Sequence, residues 1–289
     1  MIKTVKSRRL QLGVFILILM SIQLVIAASA ISIEKKYTSP EDFPTGLTSD
    51  GTYLWVCDYG SELIYKVDPD DGSVMDSFST PDDDPVGLAW DGEYLWHVDG
   101  GNAWKLGEDA EIFIYKINPL SGVATKMFKA PGGFVAEDLA WGDGHLWYVD
   151  GESGPDDYGT TTIYKIDVSN GDVVKEFRAP GNEPSGLTWD GSHLWHSDPG
   201  AGKIYLIDPD DGEVIDSFSS LSEYPDSLAW DGTYLWCADW DSAEIYSVDV
   251  DSFLNPEQEE ESGGISGFPT LAIAFGIILS LFIYKNFQR

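Results

Sequence analysis

The sequence predicts an all-β fold, a five-bladed β-propeller with four-stranded blades, and three observations carry that prediction. A Leu-Trp pair recurs with its tryptophan at Trp55, Trp96, Trp147, Trp195 and Trp236, at spacings of 41, 51, 48 and 41 residues. An Ile-Tyr pair follows each of them, at Ile64-Tyr65, Ile114-Tyr115, Ile163-Tyr164, Ile204-Tyr205 and Ile245-Tyr246. Asp-Gly or Gly-Asp-Gly stands before every Leu-Trp, and an aspartate closes the strand behind it. A repeat of about 40–50 residues built from short strands and tight turns is the size of one propeller blade.

The clearest copy runs from Pro184 to Ser219. Four apolar runs, Gly186–Trp189, His193–His196, Lys203–Ile207 and Glu213–Phe218, are each long enough for one strand. The breaks between them are turn chemistry: Asp190-Gly191, Asp198-Pro199-Gly200 and Asp208-Pro209-Asp210-Asp211-Gly212. Glycine supplies positive φ, proline presets φ, and aspartate bonds its own backbone, so the runs read as successive hairpins. The last repeat, Asp226–Val250, holds only three strands. The segment Ile31–Pro44 aligns with the fourth strand of the other repeats, so the N-terminal strand is expected to complete the fifth blade and close the ring. Closure of that kind removes exposed sheet edges.

Outside residues 31–250 the chain changes character. Lys3, Lys6, Arg8 and Arg9 precede an apolar run, Leu12–Ile26, and the small residues Ala28-Ser29-Ala30, which together read as a signal peptide over 1–30 cleaved after Ala30. Residues 251–267 form an acidic Gly/Ser linker, 268–284 an apolar run of transmembrane length, and 285–289 a basic tail. The basic tail places that end in the cytoplasm and the propeller outside the cell, anchored by a single C-terminal helix. Gly267-Phe268-Pro269 followed by an apolar run and a basic tail resembles the C-terminal signals of archaeal surface proteins, the archaeosortase or PGF-type family.

All 49 acidic residues lie between the two apolar ends with only 11 of the 17 basic ones, leaving −38 on that stretch. Such a field repels nucleic acid and anionic lipid and attracts cations. Nucleic acid is therefore excluded as a partner. The bland reading of the charge is a hydrated, soluble surface.

Blade topology assigns two faces. The Asp-Gly turns and the third-to-fourth-strand turns share one face, and they are short and uniform. The opposite face carries the blade-to-blade connections and the second-to-third loops, of which 100–112 and 151–162 are long. Long, variable loops on a rigid scaffold are where binding usually resides. On that loop face Trp104, Tyr158 and Trp240 stand beside acidic residues, an arrangement suited to sugar stacking or to one lip of a protein interface, with loop packing as the alternative. Asp58, Asp99, Asp150, Asp198 and Asp239 close the second strands. As a ring they could hold Ca²⁺; as repeat residues they would merely cap turns, and Asp99 and Asp150 join Trp104, Tyr158 and Trp240 as candidates for binding a ligand.

At the start of the innermost strands stand Thr45, Val86, Glu137, Ser185 and Asp226. The two carboxylates break the repeat, and at a channel rim they could bind a metal, share a proton or simply face solvent. One residue after each Leu-Trp stand Val56, His97, Tyr148, His196 and Cys237; His97 and His196 are either channel ligands or buried, hydrogen-bonded core residues. Asp156 and Asp157 in the second long loop are weaker metal candidates. Cys57 and Cys237, on neighbouring blades of the closed ring, could form a disulfide if their faces meet.

The consensus G-L-x-W-D-G-x-x-L-W-x-x-D…I-Y-x-I-D-P-x-x-G resembles NHL-like repeats and the glutaminyl cyclotransferase-type extracellular propellers, with Phe43-Pro44-Thr45-Gly46-Leu47 where that family has F-T-Q-G-L. The family carries a catalytic acid just after a second-strand Leu-Tyr; the matching positions here are Val56, His97, Tyr148, His196 and Cys237, none acidic. Two function classes follow. One is a membrane-anchored surface module that binds a protein or glycan. The other is an exported enzyme of the cyclotransferase or metal-dependent lactonase kind, with Glu137, Asp226 and a histidine at the channel.

Overall fold

The computed structural model describes residues 31–100, 111–132, 135–152 and 161–251. The expected signal peptide and the apolar run 268–284 lie outside them, as does the linker beyond Asp251. Among the described residues no helix is long and apolar enough to cross a membrane.

Twenty strands form five antiparallel four-stranded sheets. Blade one is β2 (Pro44–Ser49), β3 (Leu54–Asp58), β4 (Leu63–Val67) and β5 (Val74–Ser79). Blade two is β6 (Pro85–Trp90), β7 (Leu95–Asp99), β8 (Phe113–Ile117) and β9 (Ala124–Lys129). Blade three is β10 (Val135–Gly142), β11 (His145–Glu152), β12 (Thr162–Asp167) and β13 (Asp172–Arg178). Blade four is β14 (Leu187–Trp189), β15 (Leu194–Asp198), β16 (Lys203–Ile207) and β17 (Val214–Ser219). Blade five is β18 (Pro225–Trp230), β19 (Leu235–Asp239) and β20 (Glu244–Val248), completed by β1 (Ile33–Thr38), which pairs antiparallel with β20. The five-bladed propeller and its closure by the N-terminal strand are thus as the sequence predicts.

The repeat motifs have separate structural duties. In four blades the Asp of Asp-Gly accepts two turn amides through Oδ1 and the indole N–H of the tryptophan five residues on through Oδ2. The indole bonds are Trp55 to Asp50 at 3.0 Å, Trp96 to Asp91 at 2.8 Å, Trp195 to Asp190 at 3.0 Å and Trp236 to Asp231 at 2.6 Å. One carboxylate therefore shapes the hairpin and aims the largest core side chain. Blade three differs because its turn is shorter: Gly142 pairs directly with His145 across Asp143 and Gly144, at φ of 53° and 71°. Two successive left-handed residues make the tight hairpin turn that matches strand twist. Its cost is that Asp143 turns to Lys165 and the buried Trp147 indole N–H has no partner.

Between blades the core is sheet on sheet. Trp236 and Ala238 of blade five pack with Leu47, Val56 and Tyr65 of blade one, while Trp55 and Cys57 pack with Leu88 and Leu95 of blade two. Each second-strand tryptophan thus faces the following blade, and the residue after it faces the preceding one. That parity corrects the expected disulfide. Cys57 points toward blade two and Cys237 away from blade one, so the two thiols leave the shared seam in opposite directions and both are buried and free.

The candidate functional site at the channel mouth

The innermost strands meet at the axis through one position per blade: Gly46, Gly87, Asp138, Gly186 and Ser227, each just before the conserved-in-repeat leucine. Glycine is needed there by close approach. A Cβ on Gly87 would sit 2.8 Å from the Cα of Asp138, and one on Gly186 would sit 2.8 Å from the amide of Leu228. Where the repeat breaks, the side chains fill the axis. The Asp138 carboxylate accepts from the amides of Leu88 (3.3 Å), Leu139 (2.8 Å) and Leu187 (3.0 Å) and from the Ser227 hydroxyl (2.7 Å). The Ser227 oxygen in turn accepts from the Leu47 amide at 2.8 Å. One buried carboxylate and one hydroxyl therefore link all five blades. Burial pushes the Asp138 carboxyl well above the ordinary carboxylate range, and the donors from Leu187, Ser227 and Leu139 pull against it. The sequence points to Glu137, one residue earlier; Asp138 is marked in the sequence by standing where three repeats have glycine.

One residue earlier lies the rim. Ladder irregularities flank Thr45, Val86, Glu137 and Asp226, which lifts each out of the sheet register and re-aims its side chain. Thr45 and Ser185 are spent on tying neighbouring inner strands, through Pro85 O at 2.7 Å and Asp226 O at 2.6 Å. Glu137 and Asp226 remain as half-buried carboxylates. Burial pushes Asp226 up to about 7, against the Ser185 hydroxyl, with the charge of Asp239 adding to the rise. Glu137 lies over Gly151, where a Cβ would strike its carboxylate, and its charge helps raise the Tyr148 phenol. Asp226, Glu137, Glu183 and Asp241 all contribute to raising the phenol of Tyr224, after its burial, which places that tyrosine amid the acids of the loop face.

The strand-closing aspartates act as turn caps. Asp58 accepts from the amides of Phe43 (2.7 Å) and Ser61 (2.7 Å), Asp198 from Asn182 (2.8 Å) and Ala201 (2.9 Å), and Asp239 from Tyr224 (2.8 Å) and Ser242 (2.7 Å). Each pins a blade connection and a loop with one carboxylate. Asp99 and Asp150 occupy the same place and are buried. His97 and His196 are fully buried, each with Nδ1 at 3.0 Å from a glycine carbonyl, Gly87 and Gly186. Burial lowers both to about 4, the carbonyl bond opposing it, so both are neutral core residues facing the preceding blade and not the channel. No three metal-ligating side chains converge among the described residues. Trp104, Tyr158, Asp156 and Asp157 lie outside the described residues.

Beside the rim, blades five and one present an aromatic shelf. Trp240 packs on Phe43 with centroids 5.1 Å apart and on Tyr59 at 5.8 Å. The caps build it: Asp58 fixes Phe43, whose carbonyl receives the Tyr59 amide at 2.9 Å, and Asp239 fixes Tyr224, whose carbonyl receives the Trp240 amide at 3.1 Å. The same repeat positions hold Asp84 and Gly100 in blade two and Glu183 and Pro199 in blade four. The aromatics therefore do not serve the repeat. Phe43 is 42% exposed and Tyr224 39%.

No family model matches this chain, and no curated protein matches it. By fold it is similar to glutaminyl cyclase from Myxococcus xanthus, at 12% identity and a TM-score of 0.57, over 75% of this chain and 95% of that one. It is also similar to the PQQ-bound aldose sugar dehydrogenase of Streptomyces coelicolor, at 13% identity and a TM-score of 0.52, over 76% and 98% of the two chains. A virginiamycin B lyase from Staphylococcus aureus is 20% identical, with a TM-score of 0.45 over 73% and 68%. The chain is a five-bladed β-propeller, and its likeness to the cyclase and the dehydrogenase is one of fold.

Proposed function

We propose that this chain is a ligand-binding propeller, displayed outside the cell and anchored by its C-terminal apolar run, that recognises a protein or glycan through the loop face around its channel mouth. The aromatic shelf supports this most directly. Phe43, Tyr59 and Trp240 depart from the repeat, remain part-exposed and adjoin the rim, whereas the candidate catalytic histidines are committed to the core. Rigid aromatics offer large contact area at small entropic cost. The test is to present the full-length chain and its Phe43→Ala and Trp240→Ala variants to glycan and peptide arrays. A ligand bound by the parent and lost by both variants is expected; no shelf-dependent ligand on either array would overturn the reading.

One observation favours a second reading, an exported enzyme of the cyclotransferase or lactonase kind. A rim carboxyl held near 7, as Asp226 is, suits general acid–base work. Turnover of N-terminal glutaminyl peptides or lactones that is abolished by Asp226→Asn would bring this reading forward.

A further inference from the structure

Each blade ends in an edge strand, β5, β9, β13, β17 or β1, and an edge is a template for a further strand. On two of these edges the lysines are already committed. Lys35 of β1 lies 2.6 Å from Asp70, Lys36 2.6 Å from Glu244, and Lys175 of β13 3.3 Å from Asp210. The edges β9 and β17 differ. Lys126 of β9 has no acidic partner among the described residues and rests over the Phe113 ring, while Lys129 reaches Glu111 only at 3.6 Å, both ends being exposed. At β17 no basic side chain among the described residues pairs with Asp216 or with Glu213, which stands just before the strand.

The two edges match in spacing and in face. Each pair of charges is three residues apart, which strict alternation would put on opposite faces. A ladder irregularity in each strand brings them to one face. Lys126 pairs with Tyr115 and Lys129 with Phe113, both packed toward blade one. Asp216 pairs with Leu206, beside Trp195, and so faces blade five. Val214 pairs with Ile207 on the other face, which returns Glu213 to the face of Asp216. Laying β9 parallel to β17 of another copy puts the lysine face and the acid face on one side, with Lys126 opposite Glu213 and Lys129 opposite Asp216; an antiparallel alignment would separate them. The exposed Met127, Val214 and Ile215 fall between the charges. We propose that the blade-two edge of one copy pairs in this way with the blade-four edge of a second copy. One chain carries both edges, so the contact is heterologous and continues into a ring or an open chain. It is independent of the ligand-binding reading, since none of these residues belongs to the channel mouth. The net −38 repels copies at a distance, so association should strengthen from low to moderate salt, which screens that field more than pairs in contact.

Unlabelled and heavy-isotope copies of the full-length chain would be mixed in detergent and treated with a carbodiimide, which joins an amine to a carboxylate in contact. Peptide mapping is expected to show mixed-isotope links of Lys126 to Glu213 and of Lys129 to Asp216, with species beyond the dimer in sedimentation. Reversing Lys126→Glu and Lys129→Glu together should weaken association at least roughly tenfold, and adding Glu213→Lys and Asp216→Lys to the same chain should restore it. Asp76→Lys on β5 should stay within about twofold. Melting curves would confirm that the variants fold, and the links in the parent chain test the contact without any variant. A chain that stays monomeric at every salt, links that are never mixed-isotope, or equal weakening by Asp76→Lys overturns the proposal. So does association indifferent to the reversals, which would assign the contact to another part of the chain.

Discussion

Replacing Asp138 by alanine tests whether one carboxylate holds the five blades together. The substitution removes the acceptor of three amides and a hydroxyl, and the donors cannot follow because their strands are fixed by sheet pairing. An orphaned buried donor costs about 1–3 kcal/mol, so three amides alone set a loss of about 3 kcal/mol at the lower end. Relief of the buried charge works the other way, by several kcal/mol in principle. That relief offsets part of the loss, since burial outweighs the donors in setting the Asp138 carboxyl. A net loss of about 3–5 kcal/mol is expected, which for a domain of this size lowers the melting midpoint by roughly 6–20 °C. Asp138→Asn separates charge from shape. It keeps one acceptor but sets an amide N–H₂ against donors, so it should fall between alanine and the parent. Thermal and urea melts of the full-length chain read all three. An alanine variant as stable as the parent would refute the axial role. An asparagine variant equal to the parent would mean that the group is a neutral acid in the folded state.

Three further outcomes follow from the same contacts. His97 and His196 have folded-state values near 4, below the unfolded 6.5, so their contribution is present above 6.5 and lost as pH falls through 4, on the order of 3 kcal/mol each. Asp226 runs oppositely, its raised value favouring the fold at low pH and losing that contribution as pH rises through about 7; pH-dependent melts of the parent against a His97→Gln, His196→Gln double variant would show a flattened acid limb. Asp190→Ala breaks two turn amides and the Trp195 indole bond and should cost about 2–3 kcal/mol, whereas Asp143→Ala, losing the pair with Lys165 and placing alanine at φ 53°, should cost about 1–2 kcal/mol in the same denaturation assay. Ala243 sits at φ 53° where blade four has Gly202 at φ 60°, so Ala243→Gly should raise the melting midpoint by relieving about 1 kcal/mol of left-handed strain.

The architecture was legible because each repeat carries its own punctuation. Lys203–Ile207 is a strand in the structure with the bounds the sequence predicts, and Glu213–Phe218 differs from the observed Val214–Ser219 by one residue at each end. Asp-Gly before Leu-Trp could be read as a turn. That its carboxylate also takes the indole N–H could not, since the bond depends on the side chain folding back across the hairpin. Parity was the point of failure for the cysteines. That blades one and five are neighbours is legible from the repeat, but only the packing shows which face of blade five meets blade one.

The site was harder to read for a reason intrinsic to repeats. A residue present in every blade is explained by the blade, as Asp58, Asp198 and Asp239 are, each holding a loop and a connection through backbone amides. Information about function must lie in departures, but a departure has two causes. Asp138 departs from glycine and turns inward, where it serves the ring as a whole. Asp226, one residue before Ser227, departs and stays at the rim. The two differ by a single step along an irregular inner strand, and an irregular ladder is where side-chain direction no longer follows alternation. The shelf shows the converse. Phe43 and Trp240 are about 200 residues apart in sequence, and only ring closure brings them within stacking distance. Closing the ring with the first strand therefore does more than remove an edge, because it also sets the first and last blades side by side and so creates the one seam of the described mouth lined by aromatics from both ends of the domain.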